Sequence, residues 1–114
     1  MSRFKLMLQG KTKPGVMNKL ESSYADLLRL QEIAGEVLWW RYEGLKFKLA
    51  PDTFYTPDFA VMTATGFLEC HEVKGYWDDK ARVKIKLAAD QFPFQFIAVK
   101  KLSKKWGGWE FERF

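Results

Sequence analysis

Three residues carry the chemistry to be explained: Asp58 in the stretch YTPDF, and Glu72 and Lys74 in HEVKG. Both stretches read as β-strands, about 54–62 and 67–74, joined by a turn. Alternation puts Leu68, Cys70, Glu72 and Lys74 on one face of the later strand, and Phe67, Glu69, His71 and Val73 on the other. Asp58 shares a face with Ala60 and Met62. The connection TATG suits a three-residue loop, Ala64-Thr65-Gly66, with Gly66 left-handed in a bulge. That register sets Met62 opposite Leu68, Ala60 opposite Cys70 and Asp58 opposite Glu72. A one-residue shift would instead set His71 opposite Asp58. In the first register an apolar face ends in facing carboxylates and a lysine. Carboxylates at cross-strand distance, roughly 5 Å between Cβ atoms, repel each other, and Lys74 brings one positive charge against two negative. A divalent cation between the oxygens would balance the site, and hard oxygen ligands suit Mg²⁺. Pro57 fixes the backbone before Asp58 and removes a ladder donor there.

The elements that must position this pair follow from periodicity. From Asn18 to about Gly35, Leu20, Tyr24, Leu27, Leu28, Gln31 and Ala34 fall on or near one helical stripe. Asn18 is a good N-cap and Gly35 a C-terminal stop. Residues 36–50, EVLWWRYEGLKFKLA, read as strand, broken or bent at Gly44. Residues 78–92 return to helical spacing, with Ala81, Ile85, Ala88 and Phe92 on one face, and Pro93 ends that helix. FQFIAVKK (94–101) reads as a buried central strand, which the crossover helix allows to lie parallel to the strand of Glu72. SKKWGGW is a turn, and WEFERF a last strand. Residues 1–16 are polar and basic and read as a loose arm or irregular strand. The class is therefore α/β with a small mixed sheet.

The bulk composition fits one compact domain. The chain has 114 residues, 47% hydrophobic and 17% aromatic, which favours a packed core over disorder. A net charge of +5 favours acidic partners such as nucleic acid. One cysteine, Cys70, and one histidine, His71, exclude an internal disulfide and a Cys/His zinc cluster. The apolar run at the start is short and interrupted by Gln9 and Lys11, a poor secretory signal, and no stretch approaches a membrane span. An intracellular protein in a reducing compartment is expected.

PD in YTPDF, followed after a spacer by EVK in HEVKG, resembles the PD-(D/E)XK nuclease superfamily. The helix–strands–helix–strand order over about residues 18–101 is similar to that superfamily's core. The resemblance implies a restriction-endonuclease-like core, a small mixed β-sheet flanked by two helices in the order α-β-β-β-α-β. It makes residues 1–114 a single nuclease domain: a basic arm at 1–16, the core at 18–101, and a C-terminal turn and strand at 102–114. It implies that Asp58, Glu72 and the backbone carbonyl of Val73 bind Mg²⁺, with Mn²⁺ as a substitute. Lys74 would hold or activate the attacking water and stabilise charge in the transition state. Many members add a glutamate from the first helix, for which Glu21 is the candidate and Glu36 the second choice. The nearest likeness is to small phage-type nucleases, including the Holliday-junction-resolvase-like endonucleases. It implies a Mg²⁺-dependent endodeoxyribonuclease, structure-specific or sequence-nonspecific, leaving a 5′-phosphate. Such a phage- or prophage-type protein would act in the cytoplasm of a bacterial host. A homodimer would cut both strands of a duplex or junction.

Each residue has a plainer reading beside this one. Asn18-x-x-Glu21 is also a capping box. His71 neighbours Glu72 but points to the opposite face, where it packs or meets solvent, and Cys70 is a small core residue. Arg82, Lys84 and Lys86 on the second helix are candidate phosphate contacts, Lys84 foremost. A second basic patch would hold Lys104 and Lys105, with Lys100 and Lys101. The alternative is a solvated helix face offset by Asp78, Asp79 and Asp90. Trp39, Trp40, Trp106 and Trp109 read as core or interface residues before base-stacking platforms. The rival function is a non-catalytic nucleic-acid-binding module on the same fold.

Overall fold

The first helix, α1, runs Lys19–Ile33 because Asn18 starts it. The Asn18 side chain accepts the Glu21 N–H at 2.8 Å, and Glu21 Oε1 accepts the Asn18 N–H at 2.9 Å, the reciprocal pair of a capping box. The helix buries Glu21, Tyr24, Ala25 and Leu28, a stripe at helical spacing, and stops at Ala34 and Gly35. These details come from a computed structural model, which describes residues 15–76, 78–103 and 107–114, and the backbone of a short strand at 6–8. Most of the basic arm, Lys104, Lys105 and Trp106 lie outside the described residues.

Strands β1 (Leu6–Leu8), β3 (Leu45–Ala50) and β4 (Thr53–Tyr55) form a small antiparallel sheet. Strands β2 (Val37–Tyr42), β5 (Phe59–Thr63), β6 (Leu68–Lys74), β7 (Gln95–Lys101) and β8 (Trp109–Arg113) form a five-stranded mixed sheet in the order β2-β5-β6-β7-β8. Among the described residues, the parallel pair is β6 and β7, joined through helix α2 (Asp79–Gln91), as the crossover predicts. The Asp78 side chain caps α2 by accepting the Ala81 N–H at 2.7 Å.

The expected strand over 36–50 is two strands in different sheets, and so is the expected strand over 54–62. The chain leaves the large sheet at Glu43, whose φ is 48°, and returns to it at Asp58. The two breaks are adjacent, since Tyr42 pairs with Phe59 and the Glu43 N–H donates to the Asp58 carbonyl at 2.7 Å. Pro57 cannot continue the ladder. A Cβ on Gly44 would come within 3.0 Å of the Arg41 Cβ, so the turn back needs a bare backbone there.

The β5–β6 hairpin has the expected register: Ala60 faces Cys70 and Met62 faces Leu68. Gly66 closes the loop with φ +90°, and the Thr63 N–H donates to the Phe67 carbonyl at 2.9 Å. On one face of the large sheet, α1 packs Tyr24, Ala25 and Leu28 against Phe59, Val61, Val73, Ile97 and Val99. On the other, α2 supplies Ile85 and Ala88, and the small sheet supplies Leu45, Phe47, Leu49 and Tyr55, over Ala60, Cys70 and Phe96. The layers are thus helix, mixed sheet, then helix beside a second sheet. Among the described residues no helix is long and apolar enough to cross a membrane.

Candidate active site

The sheet break and the hairpin register together bring the sequence candidates to one end of the large sheet. Asp58 stands just before β5, one step beyond the Phe59–His71 pair, which places it at the level of Glu72. Its Oδ2 accepts the Val73 N–H at 2.8 Å. Glu72, 7% exposed, has Oε1 on the Tyr55 hydroxyl at 2.8 Å and Oε2 3.3 Å from Lys74 Nζ. Glu21 reaches the same end from the first turn of α1. Its charge helps to raise the Asp58 carboxyl, and its Oε1 accepts the Tyr42 hydroxyl at 3.1 Å. Glu21 therefore completes the capping box and joins the acids at once.

The electrostatics follow from this crowding. Asp58 is pushed up to about 9, first by burial and then by the charges of Glu72 and Glu21, against the opposing bond from Val73. Burial works against the Lys74 charge, but Glu72, Asp58 and Glu21 outweigh it and hold the ammonium above its usual range. Burial and then the Glu72 charge raise the Tyr55 hydroxyl far above the ordinary phenol range, so it remains a donor. One ammonium faces three acidic side chains, and this crowding, with burial, is what raises Asp58.

That donor set fits a divalent cation. Carboxylate oxygens of Asp58, Glu72 and Glu21, with the Val73 carbonyl, are hard ligands of the kind Mg²⁺ takes. A dication would supply positive charge beyond that of Lys74. Among the described residues, no three His, Cys, Asp or Glu side chains are already gathered at metal-ligand spacing. The carboxylates are instead engaged by Val73, Tyr55, Tyr42 and the Asn18 amide.

Glu36 lies elsewhere. It precedes Val37, which pairs with Thr63 at the hairpin end of β2, whereas Tyr42 at the far end meets the acids. On α2, Lys84 and Lys86 are exposed. Arg82 makes a bidentate ion pair with Glu112, at 2.8 and 3.1 Å, and stacks over Phe114. Trp39, Trp40 and Trp109 are half-buried against the two cores. Cys70 is fully buried.

His71 turns to the α1 face, as alternation predicts, and is buried there. Its Nε2 is 2.9 Å from Glu69 Oε1 and its Nδ1 2.6 Å from the Tyr24 hydroxyl. The Glu69 carboxylate only accepts, so Nε2 carries a proton towards it, while the Tyr24 hydroxyl and Nδ1 share the second bond. This network pins α1 to β6 one helical turn from Glu21. Sequence reading missed it, and missed Tyr55 and Tyr42 as well. The available signal was positional: both tyrosines immediately flank the chain breaks that flank Asp58. Comparisons with protein-family models, curated proteins and solved structures find no match to this chain.

Proposed function

We propose that the chain is a Mg²⁺-dependent endodeoxyribonuclease with a restriction-endonuclease-like core, of the PD-(D/E)XK type. The observation that supports it is the convergence of Asp58, Glu72, Glu21 and Lys74 at one sheet end, with Lys74 Nζ 3.3 Å from Glu72. Asp58, Glu72, Glu21 and the Val73 carbonyl would hold the cation. When bound, the cation supplies neutralisation of the acids and Lewis-acid polarisation of a phosphate oxygen.

The chain's own groups do the rest. The Val73 N–H fixes the Asp58 carboxyl, and Glu72 holds the Lys74 ammonium beside the acids, at 3.3 Å from its Oε2. Lys74 orients the attacking water and donates to the phosphoryl oxygen on which charge builds up. The water oxygen bonds to phosphorus, its proton passing to solvent, as the bond to the 3′ oxygen breaks and that oxygen takes a proton from solvent, leaving a 5′-phosphate and a 3′-hydroxyl. Exposed Lys84 and Lys86 contact the DNA backbone, so recognition is by backbone and shape, with branched or junction DNA as the preferred form. A second copy supplies the cut on the other strand.

The test is a panel of single-stranded, duplex, flap and four-way DNA in Mg²⁺, in Mn²⁺ and in EDTA. Cleavage with either cation, abolished by EDTA and leaving 5′-phosphates, is expected. Binding without cleavage in every condition would leave the non-catalytic module in its place.

A further inference from the structure

The carboxylates of the site are gripped mainly by neutral donors. Asp58 accepts a backbone N–H from Val73. Glu72 Oε1 accepts the Tyr55 hydroxyl at 2.8 Å, and Glu21 Oε1 accepts the Tyr42 hydroxyl at 3.1 Å beside the Asn18 N–H. A neutral donor fixes the orientation of a carboxylate without cancelling its charge. A guanidinium in the same place would take both oxygens bidentately and compete with a cation for them.

Both hydroxyls are aimed by strands. Tyr42 ends β2 and Tyr55 ends β4, each at a point where the chain changes sheets. The Tyr42 ring packs on Phe59 with centroids 5.3 Å apart. Tyr55 is 7% exposed and pairs across the small sheet with the buried Phe47. Rings held this way deliver their oxygens to fixed points, which suits outer-shell support of metal ligands.

We propose that Tyr55 and Tyr42 are positioning residues that keep Glu72 and Glu21 at the end of the sheet where a divalent cation would bind, leaving their charge available to it. The assignment rests on the cation-dependent reading of the site. Tyr55→Phe and Tyr42→Phe each remove one oxygen and keep the ring. Calorimetric titration of the full chain with Mg²⁺ alone, beside thermal melts, reads the effect. Each folded variant should bind Mg²⁺ about 10- to 100-fold more weakly. Raising Mg²⁺ to saturation should restore most of the cleavage rate, a rescue that loss of a merely structural contact would not show. Unchanged Mg²⁺ affinity in both folded variants overturns the assignment while sparing the nuclease reading. A wild-type chain that takes up no Mg²⁺ overturns that reading and this assignment with it. Should Tyr55→Phe fail to fold, the half-buried Tyr42 carries the same test alone.

Discussion

Burial, then the charges of Glu72 and Glu21, push the Asp58 carboxyl up to about 9. Its folded pKa thus lies above its unfolded value near 4. Between the two, the folded state binds more protons than the unfolded one, so stability must fall as pH rises. Melting temperature of the cation-free protein should therefore decline from pH 4 towards pH 9. Asp58→Asn should flatten that decline and raise the melting temperature at pH 8 by on the order of 5 °C, about 1 kcal/mol for a domain of this size. A melt that is flat with pH in the wild type would contradict the buried-acid account. The facing of Asp58 and Glu72 was legible in sequence because a three-residue loop with Gly66 fixes the register. Tyr55 was not, because its hydroxyl meets Glu72 across a sheet change that propensity does not signal. The same holds for the Tyr24–His71–Glu69 network, which needs α1 placed on β6 before it exists.

Helix α1 does two things with one residue. Glu21 returns a bond to the Asn18 amide and sits near Asp58 and Glu72. Glu21→Gln keeps an acceptor for the cap, because glutamine also serves at that position, but removes the charge. It should leave stability nearly unchanged in a denaturant melt while weakening Mg²⁺ affinity. Asn18→Ala should do the reverse in kind, destabilising the fold by about 1 kcal/mol through the lost cap. Equal Mg²⁺ affinity in Glu21→Gln and wild type would reduce Glu21 to its capping role. Helices were the elements most visible in sequence, since the Asn18 cap and the apolar spacing of Ile85 and Ala88 act locally. The strands were visible too, but their membership in two sheets was not. Val, Trp, Phe and Leu favour strand in either sheet, and only Gly44 and Pro57 hinted at the breaks.

The whole molecule is a five-stranded sheet with one face under α1 and the other under α2 and the small sheet. That second sheet is what carries Tyr55 to Glu72, so its packing matters to the site as well as to the core. Phe47, fully buried among Phe92, Phe94 and Phe96, anchors it. Phe47→Ala should cost about 3–5 kcal/mol in a denaturant melt. A loss under 1 kcal/mol would mean the small sheet is not packed as described. The net charge of +5, with Lys84 and Lys86 exposed on α2, would favour the polyanionic substrate proposed above. The most direct measurement is the Mg²⁺-dependent cleavage rate of four-way and duplex DNA by folded Glu72→Ala beside wild type. Glu72 lies at the centre of the site, between Tyr55 and Lys74, and its loss should abolish cleavage while the fold survives. Wild-type cleavage by Glu72→Ala would contradict the account.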